Sequence, residues 1–186
     1  MTYDQQTSQP IASFEEIPGK TFTNFSDVKS SIEQLTDQVC GTSKNIVDKA
    51  IVLKVQSNSC PNLTVIDLPG LTRIALDGQD KDIYKITREM ITRYMSDPST
   101  IILCVVSANQ DITNDEVLHT AMKIDTLGER TLACITKIDI MDRGTDARML
   151  LLNKGEVPLK LGYIGIKNRS QADIQQNMTV ADSLKA

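Results

Sequence analysis

Long apolar runs are missing from this sequence: the longest, Ile101 to Val106, is far too short to cross a bilayer. The first residues, Met1-Thr2-Tyr3-Asp4-Gln5-Gln6, carry neither a cationic head nor an apolar stretch, which disfavours secretion and membrane insertion. A basic excess is missing as well. Lys and Arg number 20 against 24 Asp and Glu, and a net charge of -4 with a pI near 5.0 leaves no field to draw in nucleic acid. No Cys-x-x-Cys pair occurs among Cys40, Cys60, Cys104 and Cys134, and the last two fall inside apolar strand-like runs. They are expected to be reduced thiols of a cytoplasmic protein, not zinc ligands. The single histidine, His119, lies in a helical pattern with no nucleophile pattern beside it, and reads as a surface or half-buried helix residue.

What is present suffices for one globular domain with a core, since 40% of the 186 residues are hydrophobic. Residues 1–18 show no period and read as an irregular tail; Pro10 and the adjacent Glu15 and Glu16 make it a poor strand. From Phe25, Val28, Ile32, Leu35 and Val39 share one helical face that ends at Gly41. Ile51, Leu53 and Val55 alternate as a half-buried strand, and Leu63 to Ile66 follow across a short polar connection, which predicts an antiparallel hairpin. A helix through Ile83, Ile86, Met90 and Tyr94 leads to the strand Ile101 to Val106. A helix from Thr113 to Asp125, opened by a capping-box spacing of Thr113 and Glu116, leads to the strand Thr131 to Ile135. A helix near Thr145 to Leu152 precedes the strand Gly162 to Lys167. Met90, Met95, Met122 and Leu150 to Leu152 fit helix faces packed on a sheet. Alternating helices and strands predict an α/β fold, mostly a parallel sheet with an antiparallel edge hairpin.

Ligands of such sheets bind beyond the carboxyl ends of the strands, and three loops there are distinctive. In Asp67-Leu68-Pro69-Gly70 a carboxylate can hold a Mg²⁺-bound water and a glycine amide can approach a phosphate, although an ordinary strand-ending turn has the same composition. In Thr136-Lys137-Ile138-Asp139 the aspartate can accept hydrogen bonds from guanine N1 and N2 while the lysine stem covers the ring; adenine offers no matching donor pair. A solvated charged turn is the plainer alternative. Asn168-Arg169-Ser170-Gln171 can close over base and sugar, and gains weight only from its order after the other two.

Longer stretches around these loops resemble the dynamin family of large GTPases. Leu63-Thr64-Val65-Ile66-Asp67-Leu68-Pro69-Gly70-Leu71-Thr72-Arg73 is similar to its switch II region. Ser107-Ala108-Asn109-Gln110-Asp111 is similar to the segment that supports its catalytic dimer, and Gly162-Tyr163-Ile164-Gly165-Ile166-Lys167-Asn168-Arg169-Ser170-Gln171 to its last guanine loop. Leu71 stands where small GTPases usually carry glutamine, which favours dynamins. The resemblance implies GTP binding and hydrolysis of the membrane-remodelling type, with GTP and Mg²⁺ as cofactors. Asp67 would hold Mg²⁺ through water and the Gly70 amide would face the γ-phosphate. Thr136, Lys137 and Asp139 would hold the base, and Asn168, Arg169 and Gln171 would surround base and ribose. Asp111 would meet the G domain of a dimer partner from the same family. Membranes or microtubules would be reached only through longer family members, with the intact protein cytoplasmic or peripheral to membranes.

No Gly-x-x-x-x-Gly-Lys-[Ser/Thr] occurs. Gly19-Lys20-Thr21 is a half-match, but Phe14 holds the place of the first glycine and Pro18 removes an amide from the would-be phosphate nest. The resemblance places Gly19 to Phe25 downstream of the true P-loop. The expectation is therefore an incomplete P-loop-GTPase-like domain, lacking the first strand, the P-loop and switch I, and inactive alone. Its parts would be a partial G domain at residues 19–171 and the start of a C-terminal helix at 172–186. The alternative is a non-catalytic interaction module that binds full-length dynamin relatives.

Overall fold

The computed structural model describes residues 1–41, 45–71, 75, 79–176 and 178–184. The chain divides into two units, Met1–Ile91 and Thr92–Ala186.

The first unit holds β1 (Thr2–Tyr3), β2 (Ile11–Phe14), β3 (Thr21–Phe22), α1 (Phe25–Cys40), β4 (Leu53–Ser57) and most of α2 (Ile83–Met95). Its strands run in the order β1-β4-β2-β3, with β1 parallel to β4 and the other pairs antiparallel. Ala12 and Phe14 from β2, Phe22 from β3, and Val28 and Leu35 from α1 form one buried cluster. Phe14 and Phe22 meet edge to face, 5.5 Å between centroids, the arrangement that aromatic quadrupoles favour. α1 starts where Asn24 accepts the Ser26 amide and stops at Gly41, whose φ of 68° suits a residue without a Cβ.

Two expectations for this unit are corrected. Residues 1–18 contain two strands after all, β1 and β2: in β2 the side chains of Ala12 and Phe14 are buried while Ile11 and Ser13 are half-exposed. Pro10 lies just outside the ladder, and Glu15 leaves it to pair with Lys54 at 2.7 Å. The hairpin of β4 with Leu63 to Ile66 does not form, because β1 and β2 already occupy both edges of β4. Leu63 instead exchanges two backbone hydrogen bonds with Met1, and Val65 is 69% exposed. The antiparallel pairs of this sheet are thus β2 with β3 and β2 with β4.

The second unit holds the end of α2, then β5 (Ile102–Ser107), α3 (Glu116–Ile124), β6 (Thr131–Thr136), α4 (Arg148–Leu151), β7 (Tyr163–Ile166), α5 (Gln171–Gln175) and α6 (Val180–Ser183). β5, β6 and β7 form a parallel sheet in that order, as the alternation of helices and strands predicts. α3 packs on β5 and β6 through the fully buried Leu118 and Ala121. It begins later than Thr113. Asp115 caps it by accepting the Leu118 amide, whereas Thr113 belongs to a 3₁₀ turn capped by Asp111. α4 is shorter than the periodicity suggests. Asp146 accepts the Arg148 amide at its start, and Asn153, at φ 55°, turns back to bond Leu159 at both its carbonyl and its amide. Leu151 and Leu152 are consequently 40% and 51% exposed, not core.

Asp125 closes the turn between α3 and β6. Its carboxylate accepts hydrogen bonds from the Glu129 and Arg130 amides, both at 3.0 Å, and from the Thr131 hydroxyl at 2.6 Å. Arg130 in turn donates to the carbonyls of Met95 and Thr100 at 2.6 and 2.9 Å, which ties the end of α2 and the approach to β5 to the start of β6. Burial raises the Asp125 pKa, but the Thr131 hydroxyl and the two amides outweigh it and hold the carboxyl below its usual value. Replacing Asp125 by Ala is expected to cost the second unit about 2 kcal/mol, since it strands a buried hydroxyl and two amides. The folded carboxylate binds protons less readily than the unfolded one. Its stabilisation is therefore complete above the unfolded value, about 3.9, and is lost as pH falls through the lower folded value. Urea midpoints measured from neutral to acid pH should show that loss, and Asp125→Asn should flatten it.

Candidate functional site

The parallel register determines what meets at the carboxyl edge of the second unit's sheet. Ser107 pairs with Thr136, and Thr136 with Ile166, so the loops after β5, β6 and β7 leave the sheet side by side. The structure thereby brings Thr136, Lys137 and Asp139 to the same edge as Asn168, Arg169 and Gln171, with Asp111 in the loop beside them.

After β6 the chain turns sharply. Lys137 takes a left-handed conformation, φ 59° and ψ 29°, and leads into a 3₁₀ turn over Ile138–Ile140, in which the Ile140 amide donates to the Lys137 carbonyl at 3.2 Å. Lys137 and Asp139 are exposed, and their charged groups make no hydrogen bond or ion pair among the described residues. Thr136 differs: its hydroxyl donates to the Val106 carbonyl at 3.0 Å and so laces β6 to β5. Ile138 is half-buried. A Cβ built on Gly165 of β7 would stand 3.3 Å from its Cδ1 and 3.3 Å from Leu151 Cδ2. Gly165 was not among the candidate residues, although an isolated glycine inside a strand pattern is a known sign of close approach.

After β7, Asn168 is exposed and uncommitted among the described residues. Arg169 donates to the Met178 carbonyl at 2.6 Å, which ties it to the C-terminal segment. Ser170 caps α5 in a capping box with Asp173, and Gln171 is the first residue of that helix, exposed. The Ser170 hydroxyl and amide hold the Asp173 carboxyl below its usual pKa. In the loop after β5, Asp111 accepts the Thr113 hydroxyl at 2.8 Å, the Thr113 amide at 3.0 Å and the Asn114 amide nitrogen at 3.2 Å. Those two Thr113 bonds lower its pKa.

Asp67 and Gly70 belong to the first unit, in a segment outside helix and strand. Among the described residues the exposed Asp67 carboxylate has no hydrogen-bond or ion-pair partner, and a Cβ on Gly70 would meet nothing within 4 Å. Thr72 and Arg73, the end of the switch II resemblance, lie outside the described residues. No group of three or more His, Cys, Asp or Glu gathers to hold a metal among the described residues.

Gly19-Lys20-Thr21 is no phosphate loop here. Gly19, at φ 80°, makes the turn between β2 and β3, Thr21 opens β3, and the Lys20 ammonium lies 4.8 Å from the Phe22 ring centroid. His119 is exposed on α3, where its Nε2 donates to the Thr113 carbonyl at 2.6 Å.

Comparison with known proteins decides the family. Residues 1–138 match the model described as the Dynamin family, and residues 146–186 match the Dynamin central region. The chain belongs to the dynamin family. It is 44% identical over 172 residues to Dynamin-1-like protein of Danio rerio, covering 92% of this chain and 25% of that protein. It is 45% identical over 174 residues to Dynamin-1-like protein drp-1 of Caenorhabditis elegans, covering 94% and 24%. With Dynamin-related protein DNM1 of Saccharomyces cerevisiae it shares 46% over 171 residues, covering 92% and 22%. The chain therefore spans about a quarter of the length of these dynamin relatives. Among the described residues no helix is long and apolar enough to cross a membrane.

The left-handed backbone at Lys137 gives this turn a local test. A β-branched residue cannot adopt that conformation without strain, whereas glycine adopts it freely. Lys137→Val is expected to destabilise the second unit by about 1–3 kcal/mol. Lys137→Gly should leave the denaturant midpoint close to the parent value.

Proposed function

We propose that this chain carries the base-reading part of a dynamin-type G domain whose intact protein binds and hydrolyses GTP with Mg²⁺. The observation that carries the proposal is the register of β6 with β7. It sets Lys137, Asp139 and Asn168, exposed and uncommitted among the described residues, at one edge of a parallel sheet, the place where such sheets take ligands. In this reading Asp139 accepts the guanine N1 and N2 hydrogens, the Lys137 stem lies over the ring, and Asn168 and Gln171 close the base and ribose side. Asp67 holds a Mg²⁺-bound water and the Gly70 amide faces the γ-phosphate. Thr136 and Arg169 serve as braces of these loops, in keeping with their bonds to Val106 and Met178. Dimerisation with a second dynamin G domain through the loop of Asp111, and action on membranes or microtubules, belong to the intact protein in the same proposal. So does a cytoplasmic location, supported by four free cysteines.

Phosphoryl transfer rests on positioning and charge neutralisation around the phosphates. The 186 residues contain no Gly-x-x-x-x-Gly-Lys-[Ser/Thr] to provide it. Two charge-assisted hydrogen bonds contribute about 1.5–3 kcal/mol each, against at least about 4 kcal/mol lost on association. By itself the chain should thus hold GTP at millimolar affinity or weaker and should not hydrolyse it.

An NMR titration with millimolar GTP and ATP tests the reading. GTP should shift the amide signals of residues 137–139 and 168–171, ATP should shift them far less, and Asp139→Ala should abolish the difference. Equal responses to both nucleotides, or a preference that survives Asp139→Ala, would overturn the base-reading role.

A further inference from the structure

The turn that carries Lys137 and Asp139 is exposed and only four residues long, yet guanine recognition through one carboxylate demands tight placement. Hydrogen bonds weaken steeply once they bend away from linearity, and a binding constellation tolerates only about half an ångström of error. The hydrogen bonds within the turn do not supply that rigidity: the 3₁₀ turn has a single backbone bond of its own, from Ile140 to Lys137, and no side-chain cap. What anchors it is Ile138, the residue between the two candidate base ligands. Ile138 is the half-buried member of a run whose flanking residues, Lys137 and Asp139, are exposed.

Ile138 packs against the place where a side chain is missing. Gly165 is the third residue of β7, paired with the fully buried Ile135 of β6. Its ideal Cβ would stand 3.3 Å from Ile138 Cδ1, 3.3 Å from Leu151 Cδ2 and 3.6 Å from Leu151 Cδ1. The first two distances are shorter than ordinary carbon contacts, so even alanine forces both side chains back slightly. A branched residue displaces them further. The need for glycine here is steric and not conformational, since Gly165 is not among the residues with positive φ. Two residues beyond the end of β7 comes Asn168, so the strand that seats the second loop also launches the third.

We propose that Gly165 is a positioning residue for guanine recognition: its missing side chain is the seat for Ile138, and through Ile138 it sets the placement of Lys137 and Asp139. Leu151 of α4 closes the other side of the seat. The inference rests on the base-reading role of Asp139 but concerns different residues, and the two can fail separately.

The test uses the 186-residue chain and its variants Gly165→Ala, Gly165→Val, Ile138→Ala, Gly165→Val with Ile138→Ala, and Asp139→Ala. In NMR spectra without nucleotide, Gly165→Val should move the amide signals of residues 137–140, and adding Ile138→Ala should return them towards the parent positions. Gly165→Ala should produce the same pattern at smaller amplitude, and decides the matter if Gly165→Val does not fold. Shifts confined to β7 and α4, or turn shifts that persist when Ile138 is truncated, overturn the seat. In the nucleotide titration the GTP-over-ATP preference should fall about tenfold in Gly165→Val, which is 1.4 kcal/mol of lost discrimination, and recover in the double variant. A purely structural glycine would lower the melting temperature and leave that preference unchanged. Preference lost in Asp139→Ala but kept in Gly165→Val overturns the positioning role alone. Preference absent from the parent, or untouched by Asp139→Ala, overturns the base-reading role beneath it.

Discussion

The Asp125 carboxylate is the constraint on which the second unit depends. A parallel sheet has no tight turns to set its register, because each strand returns through a crossover. Here the crossover through α3 ends on one carboxylate that grips two amides and a hydroxyl at the start of β6. The neighbouring Arg130 reaches back to the carbonyls of Met95 and Thr100, which fixes where β5 begins relative to β6. With both starts tied, six residue pairs from Ile102 with Thr131 to Ser107 with Thr136 follow in register. The loops at the far end of the strands inherit that alignment. The alignment of the strand that leads to Lys137 and Asp139 is thus set by polar contacts at the opposite edge of the sheet, and the seat at Gly165 acts on the turn itself.

Much of this was legible in the sequence, for reasons that differ between elements. β5 and β6 stand out because strands buried in a parallel sheet read as unbroken apolar runs, and α1 because Val28 and Leu35 repeat at helical spacing before a glycine. β2 was not legible. Four residues are too few to display a period, its near partner β3 has only two, and its longer partner β4 lies beyond a whole helix. The segment Leu63 to Ile66 misled in the opposite direction: its composition is that of a strand, but strand formation needs a free edge, and β4 has none. Likewise Thr113 and Glu116 have capping-box spacing, yet Asp111 takes the Thr113 hydroxyl and Asp115 caps the helix instead.

At the site, motifs reveal which residues are candidates but not what already occupies their polar atoms. Thr136 and Arg169 carry the right groups, and only the fold shows these groups bonded to Val106 and Met178. Gly165 was hidden for a complementary reason. A glycine has no side chain to suggest a role, and its significance lies in the shapes of Ile138 and Leu151, which come from distant parts of the sequence.

Cys104 sits at the centre of β5 with no solvent exposure, and burial, helped by the charge of Asp115, pushes its thiol up to about 12. The reactive form of cysteine is the thiolate, so in the folded chain this sulfur is chemically silent to alkylating reagents at neutral pH. Cys40 and Cys60 are half-exposed. The protein therefore contains its own opening clock: the rate at which an alkylating reagent labels Cys104 counts the moments when β5 is exposed, with no residue changed.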